Sequence, residues 1–283
     1  MIGQRLAGAQ RSPRANLGLA HVTPPGGTGT CCITAYPTSK PAPAGYDAEG
    51  FHVRALDQGV NKVLYWFARV LVQPPLHVYF RMRRSGMEHV PKRGPVIFAA
   101  NHRSFLDPFV IGTLTRRPVY YVAKKELFLH PVAGWLLNQL GAFPIDRGAG
   151  DHQAMDTARK ILERGDCVVI FPEGTRTRPG PLGVPHRGVG RLALQTGAPV
   201  VPVAVLGTEA VRRGWRIRPH RVSICCGRPL YFPGVESPSP ALAGAVTDRI
   251  WSCVVLQWDW LGGAMAERPA SAAPAERLRA HAA

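Results

Sequence analysis

No apolar run in this 283-residue sequence reaches the roughly 18 residues that a membrane-spanning helix requires. The N-terminal segment also lacks the compact apolar core of a secretory signal ahead of its Pro/Gly-rich stretch. These two absences argue against a spanning or secreted protein. We therefore expect any membrane contact to be peripheral and to be made on the cytoplasmic face.

Cysteine is scarce and badly spaced for a metal site or a disulfide framework. No two cysteines form a C-x-x-C pair, and adjacent cysteines bridge to each other with difficulty. Several lie in apolar, strand-like runs, where a reduced cysteine acts as a small core residue. Zinc sites and disulfides are therefore disfavoured, and a reducing compartment fits. The six residues are Cys31, Cys32, Cys167, Cys225, Cys226 and Cys253.

Acidic residues are also few: 18 Asp and Glu stand against 35 Lys and Arg, which gives a formal net charge of +17. This surplus favours an anionic partner, namely nucleic acid, an anionic membrane surface or a phosphorylated substrate. Genome bias alone can produce an arginine-rich composition, so the charge does not choose among these partners. One cluster around Trp215 fits lipid headgroups, a solvated surface or nucleic acid. It contains Arg212, Arg213, Arg216, Arg218 and Arg221.

The composition divides the chain into four stretches. Residues 1–50 are rich in Gly, Pro, Ala, Ser and Thr without periodicity, and we expect them to be disordered or in part an upstream extension. Residues 51–84 form a strongly apolar helical segment. Residues 85–266 hold the main domain, and residues 267–283 form an Ala/Pro/Arg-rich tail that we expect to be loose.

The 51–84 segment predicts an apolar helix hairpin with a basic edge. Its first helix is expected to end at Pro74-Pro75, and an aromatic and arginine-rich run follows at 76–84. Such a hairpin can dock into one leaflet, with aromatic rings at the interface and arginines toward lipid phosphates. A helix packed on the domain core is the alternative, and the basic charge favours membrane contact.

From Gly86 onward, strand-like apolar runs alternate with segments of helical periodicity. This alternation predicts an α/β domain with a mixed, largely parallel central sheet flanked by helices. Strands are predicted at 95–100, 118–123, 142–145, 167–171, 199–206 and 221–226. Helices are predicted at 108–115, 131–140, 151–164, 186–196 and 238–258.

A histidine and an aspartate lie close together after the first of these strands. His102 falls in the strand-to-helix turn, and Asp107 directly precedes Pro108, which suits an Asp N-cap followed by Pro at the first helical position. Across a turn the two side chains can fold back on each other, and an aspartate that orients a histidine makes it a competent general base. A polar turn capped by Asp107 is the alternative.

Two further strands end in polar residues. The run 142–145 is followed by Arg147, and the run 168–171 leads into Pro-Glu-Gly-Thr-Arg at 172–176, where Gly174 permits an unusual backbone turn. In open α/β sheets ligands collect beyond the carboxyl ends of strands. An arginine there can hold a phosphate with two hydrogen bonds. A surface ion pair is the alternative role for Arg147.

These stretches resemble the signatures of the glycerolipid acyltransferases, the family of the 1-acylglycerol-3-phosphate acyltransferases. Asn-His-x-x-x-x-Asp at 101–107 resembles the first signature, and 141–148 resembles the second. Phe-Pro-Glu-Gly-Thr-Arg at 171–176 is similar to the third residue for residue, and the apolar run 198–207 around Pro202 is similar to the fourth. The resemblance covers roughly residues 85–230, in the family's order, and implies a glycerol-3-phosphate acyltransferase-like fold.

The resemblance also implies a reaction. An acyl thioester, either acyl-CoA or acyl-carrier protein, would give its acyl group to the free hydroxyl of a lysophospholipid such as 1-acylglycerol 3-phosphate, and the product would be phosphatidic acid. His102 would be the base, Asp107 would orient it, and neither an enzyme nucleophile nor a metal or other cofactor would be required. The absence of a G-x-S-x-G elbow agrees with this. By the same resemblance, the acceptor is bound by one of Lys124 and Lys125, by Arg147, and by Glu173, Gly174, Thr175 and Arg176.

Several alternatives stay open at this point. The acceptor can be glycerol 3-phosphate or another lysolipid, and the chain can be a non-catalytic lipid-binding relative. A basic nucleic-acid-binding protein is the alternative from another class, but no helix-turn-helix, finger, RRM or KH pattern is present. We therefore expect an anionic membrane surface, a lysophospholipid and an acyl donor as partners, and no nucleic acid.

Overall fold

A seven-stranded sheet forms the centre of the protein, and most of its strands are the apolar runs of the sequence. The computed structural model describes residues 47–146, 152–177 and 180–266. The strands are β1 (Arg83–Ser85), β2 (Val96–Ala100), β3 (Val119–Lys124), β4 (Ala142–Ile145), β5 (Cys167–Ile170), β6 (Val200–Leu206) and β9 (Ser223–Cys226), and a separate two-stranded hairpin contains β7 (Arg212–Arg213) and β8 (Arg216–Ile217).

The spatial order of the sheet is β1-β9-β6-β2-β5-β3-β4. Neighbouring strands pair in parallel, with the exception of β6 and β9, which are antiparallel. The predicted mixed, largely parallel sheet is therefore confirmed. Every residue of β2 and β5 is buried, as expected where helices cover both faces of a parallel sheet.

Helices cover the two faces of the sheet. Leu76 of α2 and Val110 of α3 belong to the apolar core on one face. Ala55 of α1, Leu192 of α6 and Ile250 of α7 belong to the core on the other face, together with residues of α5. The helices are α1 (Ala48–Asp57), α2 (Lys62–Val78), α3 (Asp107–Ile111), α4 (Pro131–Gln139), α5 (His152–Glu163), α6 (Gly188–Thr196) and α7 (Pro240–Ala266), with short 3-10 helices at Met87–His89 and Lys125–Phe128.

The predicted helix hairpin with a break at Pro74-Pro75 is wrong. Helix α2 runs through both prolines as one helix, Lys62–Val78. The prolines lack the N–H groups that would bond the carbonyls of Val70 and Leu71, but both of these residues are exposed, so water can solvate the freed carbonyls. The last turn is secured by Leu76, which is 1% exposed in the core.

Structure also begins earlier than the sequence predicts. Helix α1 starts at Ala48, and the Asp47 carboxylate caps it by accepting a hydrogen bond from the Gly50 N–H at 2.8 Å. The expected disorder of 1–50 otherwise concerns residues 1–46, which lie outside the described residues, as does the tail 267–283. Within the described ranges, no helix is both long enough and apolar enough to cross a membrane.

The parallel pairing decides where the polar signatures meet. Strands β6, β2, β5, β3 and β4 are neighbours with the same direction, so their carboxyl ends lie side by side along one edge of the sheet. The loops that follow these five strands carry the residues that the sequence singles out. This carboxyl edge is the place where an open α/β sheet binds its ligands.

Candidate active site

His102 and Asp107 face each other in the turn between β2 and α3. The distance between His102 Nδ1 and Asp107 Oδ2 is 2.8 Å, and both residues are buried. The predicted N-cap role of Asp107 is wrong, because helix α3 already includes Asp107 and its cap residue, Leu106, makes no side-chain cap bond. The carboxylate points back into the turn instead of forward along the helix.

The groups around the Asp107 carboxylate other than the imidazole are hydrogen-bond donors. Oδ2 accepts from the backbone N–H groups of Arg103 and Ser104, each at 2.7 Å. Oδ1 accepts from the Thr208 hydroxyl at 2.6 Å. Because an ionised carboxylate can only accept hydrogen bonds, the proton of the neutral His102 imidazole is on Nδ1, where it is donated to Asp107. The lone pair of the imidazole is then on Nε2. The pair therefore has the tautomer that a general base needs.

The imidazole of His102 is also held in its plane. The ring of Phe171 stacks on it with centroids 4.1 Å apart and an interplanar angle of 20°. Within the described residues, no protein group forms a hydrogen bond with His102 Nε2, and the residue is 7% exposed. The ring is thus fixed by Asp107 on one side and by Phe171 on its face, with Nε2 left to accept a proton.

Asn101 and Thr208 contribute to the site, although neither is among the predicted site residues. The Asn101 side chain donates to the Val205 carbonyl at 2.9 Å and accepts from the Val205 N–H at 2.8 Å, which clips the end of β2 to β6. Thr208 follows β6 and reaches Asp107, as described above. A buried asparagine directly after an apolar strand is a signal for such a clip, whereas nothing in the local sequence marks Thr208.

Glu173 lies under the histidine turn. Its Oε1 accepts from the His102 N–H at 2.8 Å and its Oε2 accepts from the Gly183 N–H at 2.8 Å. The residue is 3% exposed. The Thr177 N–H adds a bond to the His102 carbonyl at 3.0 Å. These contacts favour a positioning role for Glu173, which joins the β2–α3 loop to the β5–α6 loop, over the predicted contact with an acceptor.

The last residues of the third signature reach the surface. Gly174 has φ +66°, as its predicted unusual turn requires, and an added Cβ would come within 2.9 Å of His186 Cδ2. Thr175 and Arg176 are exposed beyond the end of β5. Among the described residues, the Arg176 guanidinium has no ion pair or hydrogen bond.

The two lysines lie at the end of β3, next to β5. Lys124 Nζ is 2.8 Å from Glu126 Oε1, and Lys125 Nζ is 2.5 Å from Asp146 Oδ2. The side chain of Lys124 is 50% exposed, whereas that of Lys125 is 14% exposed. Arg147, the remaining predicted site residue, lies outside the described residues.

The buried cysteines are poor nucleophiles. Burial raises the pKa of the Cys167 thiol from 9.0 to about 11 and also raises the pKa of Cys226. Both thiols therefore stay protonated at neutral pH. Cys167 opens β5 at the amino edge of the sheet, opposite the edge that carries His102. The site thus offers a base without a thiolate beside it.

The comparisons with known proteins point to one family. A family model described as Acyltransferase matches residues 81–206. The 1-acyl-sn-glycerol-3-phosphate acyltransferase of Bacillus subtilis (strain 168) is 32% identical over 166 residues, which cover 58% of this chain and 81% of that protein. The lyso-ornithine lipid O-acyltransferase of Pseudomonas aeruginosa is 35% identical over 157 residues, which cover 55% of this chain and 57% of that protein.

The extent of these likenesses differs. The chain spans about half the length of other curated relatives that it matches, with 47%, 43% and 51% of three of them covered. The crystal structure of the 1-acyl-sn-glycerophosphate (LPA) acyltransferase, PlsC, from Thermotoga maritima has a TM-score of 0.58 at 22% identity, covering 78% of this chain and 90% of that chain. That likeness establishes the fold. Because the alignment with the Bacillus protein covers 81% of it at 32% identity, and the family model matches the chain from β1 to β6, the chain belongs to the glycerolipid acyltransferase family.

Proposed function

We propose that the protein transfers an acyl group from an acyl thioester to the free hydroxyl of a lysophospholipid, with 1-acylglycerol 3-phosphate as acceptor and phosphatidic acid as product. The observation that carries this proposal is the buried pair of His102 and Asp107, 2.8 Å apart. Family membership supports the same chemistry. No cofactor is needed beyond the acyl donor, which is acyl-CoA or acyl-carrier protein.

The reaction follows from the tautomer of His102. Nε2 accepts the proton of the acceptor hydroxyl while the hydroxyl oxygen forms a bond to the thioester carbonyl carbon. The tetrahedral oxyanion then collapses, the C–S bond breaks, and the leaving thiolate takes the proton from the imidazolium. Asp107 stays ionised throughout and stabilises the imidazolium, since its oxygens already accept hydrogen bonds from Arg103, Ser104 and Thr208. The thioester has a good leaving group, so no enzyme nucleophile is required.

The acceptor phosphate fits the cationic groups at the ends of β5 and β3. Arg176 is the first choice, because it is exposed and its guanidinium can form two parallel hydrogen bonds to a phosphate. Lys124 is the second choice, because its side chain is half exposed, whereas that of Lys125 is largely buried against Asp146. Arg147 remains a predicted contributor. Binding the phosphate here would position the free hydroxyl against His102 Nε2.

A second acceptor deserves a test because of one relative. The Pseudomonas protein, 35% identical to this chain, is named a lyso-ornithine lipid O-acyltransferase. An ornithine headgroup has a carboxylate and an amine but no phosphate, so it would use the cationic groups differently. The base and its support would be the same for either acceptor.

We further propose that the protein acts as a peripheral protein on the cytoplasmic face of an anionic membrane. The outer side of α2 exposes large apolar side chains that the domain core leaves uncovered, including Val63 at 81%, Trp66 at 66% and Leu71 at 64% exposure. Aromatic and aliphatic groups on one side of a helix are typical of insertion into the headgroup boundary of a bilayer. The inner side of the same helix packs on the core through Leu76.

Thiol release measures the proposed reaction directly. Purified protein is incubated with an acyl-CoA or an acyl-carrier protein and, as acceptor, 1-acylglycerol 3-phosphate, lyso-ornithine lipid or glycerol 3-phosphate. We expect release that depends on 1-acylglycerol 3-phosphate and is accompanied by phosphatidic acid. If lyso-ornithine lipid were the one acceptor of the three that supported release, the acceptor would be a lyso-ornithine lipid. No release with any combination of donor and acceptor would contradict the proposal.

The position of Glu173 predicts a separable effect. In Glu173→Gln, the amide must direct its NH₂ group toward either the His102 or the Gly183 N–H, which leaves a buried donor without an acceptor. We expect a loss of about 1–3 kcal/mol in the free energy of unfolding and a lower kcat, with the acceptor KM unchanged. Urea denaturation and steady-state kinetics measure both.

The control for this variant is Glu163→Gln, which alters a half-exposed carboxylate paired with Arg159. It should leave stability and kcat close to those of the parent. A Glu173→Gln protein of unchanged stability with a raised acceptor KM would show instead that the carboxylate contacts the acceptor.

A further inference from the structure

The β7–β8 hairpin closely follows an active-site residue along the chain. Thr208, whose hydroxyl donates to Asp107, lies four residues before β7, and the Val211 N–H bonds back to the Thr208 carbonyl at 3.4 Å. Val211 is fully buried in the core. The Arg218 N–H closes the base of the hairpin on the Val211 carbonyl at 2.8 Å. The buried Val211 therefore holds the base of the hairpin, and the hairpin extends from the edge of the sheet that carries the site.

The tip of the hairpin combines a bare aromatic ring with unpaired positive charge. Trp215 is 83% exposed, and the guanidinium carbon of Arg216 lies 5.2 Å from the centre of its ring. Within the described residues, Arg212, Arg216 and Arg218 form no ion pair, and all three are exposed. The stretch 210–235 contains six arginines and no Asp or Glu. In the part of the chain that the structure describes, the Trp215 ring is thus left largely exposed to solvent, and Arg212, Arg216 and Arg218 have no carboxylate partner.

The hairpin continues the exposed apolar side of α2. The Tyr79 hydroxyl, directly after α2, donates to the Ile217 carbonyl of β8 at 3.2 Å. Val78 and Ile217 are 79% and 52% exposed. The register of the sheet sets both elements at the carboxyl edge, since Arg83 of β1 pairs with Ser223, which in turn pairs with Leu206 at the end of β6. The end of α2 and the hairpin therefore border the edge that carries His102.

The turn between α2 and β1 adds a further exposed cation to this border. Arg81 has φ +45° and is the one described residue other than glycine with a positive φ. A side-chain-bearing residue is disfavoured in the left-handed region, and residues held there are often found at ligand contacts. The exposed Arg81 side chain thus lies on the same edge as the arginines of the hairpin.

We propose that the β7–β8 hairpin is a second membrane contact, which binds anionic lipid headgroups through Arg212, Arg216 and Arg218 while Trp215 enters the interface. Tryptophan at the headgroup level beside arginines is the arrangement that bilayer interfaces favour. Nucleic acid would be attracted by the charge but gives no reason for the continuous apolar surface along α2. The proposal rests on the proposed function, since a lysophospholipid acceptor resides in the membrane that the hairpin would bind.

Vesicle sedimentation tests this contact without acyl donor or acceptor. The full chain is mixed with phosphatidylcholine vesicles that contain or lack phosphatidylglycerol. For the variant Arg216→Gln/Arg218→Gln we expect binding to the anionic vesicles to weaken about tenfold to thirtyfold. We expect Trp215→Ala to weaken it severalfold. A control, Lys92→Gln/Arg93→Gln, removes the same charge from exposed residues before β2, at the amino edge, and should bind as the parent does.

Two results would overturn the proposal. One is equal loss of vesicle binding in the hairpin variant and the charge-matched control, because charge alone would then account for it. The other is a hairpin variant that binds anionic vesicles normally but loses affinity for a DNA duplex, which would assign the hairpin to nucleic acid. Failure of the acyl-transfer proposal is distinguishable, because it would abolish thiol release in the parent protein and leave these vesicle measurements intact.

A second measurement compares acyl transfer to a membrane-embedded acceptor with transfer to a soluble one. Thiol release is measured with a long-chain 1-acylglycerol 3-phosphate embedded in anionic vesicles and with a short-chain form that is monomeric in solution. The hairpin variant is expected to lose activity about tenfold on the embedded acceptor and to keep the parent's activity on the monomeric one. An equal loss on both acceptors would contradict a membrane contact.

Discussion

Replacing His102 with alanine should lower kcat for acyl transfer by a factor of about 10²–10⁴, the range over which a positioned general base contributes. The substitution removes Nε2, the group that takes the acceptor proton, and leaves the backbone N–H of residue 102 to bind Glu173. We therefore expect the variant to fold and to bind acceptor while thiol release falls. Thiol-release assays with acyl-CoA and with acyl-carrier protein measure the loss of kcat.

His89→Ala is the matched control. His89 is half-buried and bonds the Cys226 carbonyl at 3.0 Å, away from the carboxyl edge. Its removal should leave kcat near that of the parent, and circular dichroism should show both variants folded. A folded His102→Ala protein with full activity would show that the reaction does not pass through this imidazole.

Replacing Asp107 with asparagine should reduce both activity and stability. The carboxylate is fully buried and accepts from two backbone N–H groups, from the imidazole and from the Thr208 hydroxyl. An amide presents its NH₂ group to at least one of these donors, and the imidazole can then adopt the other tautomer. We expect kcat to fall by about 10²–10⁴ and the free energy of unfolding to fall by about 1–3 kcal/mol.

The control for Asp107 is Asp156→Asn, because the Asp156 side chain is 67% exposed and lies 4.0 Å from Arg159. Exposed pairs of this kind contribute about 0–1 kcal/mol, so kinetics and urea midpoint should stay close to those of the parent. An unchanged kcat in Asp107→Asn would show that the reaction does not require Asp107 to orient His102.

Most of the central sheet could be predicted from the sequence because β2, β4, β5 and β6 are uninterrupted apolar runs. The sequence predicts β4 at 142–145, and the strand is observed at Ala142–Ile145. The predicted ranges of β2 and β6 are each one residue longer than the observed strands. Such runs are decided locally, since burial on both faces selects apolar residues at every position. The alternation of strands with helices predicts parallel pairing of the strands, and parallel pairing places the loops that follow them at one edge of the sheet.

The elements that were not predicted depend on long-range packing or are very short. α2 passes through Pro74-Pro75 because Leu76 is buried by the core, a contact that no local pattern contains. β1 has three residues, two of them arginines, and it exists by pairing with β9 across the chain. The β7–β8 hairpin lies within an arginine-rich loop without strand periodicity.

The same distinction applies to the site. His102 and Asp107 are five residues apart in one turn, so their meeting could be inferred from the sequence. The support of that pair is not local: Thr208 is 101 residues from Asp107, and Glu173 is 71 residues from His102. The resemblance to the family placed Glu173 in the acceptor site, whereas its two backbone bonds favour a structural position beneath the base.

The bond from Thr208 to Asp107 has a consequence for the order in which the protein becomes competent during synthesis. A nascent chain that has emerged through Arg176 already contains the whole first and third signatures, yet Thr208, which holds the second oxygen of Asp107, has not been made. The Asn101 clip likewise waits for Val205 of β6. Activity should therefore appear late and abruptly as the ribosome adds β6 and Thr208. Acyl transfer in stalled chains of increasing length would then report the closure of the domain core.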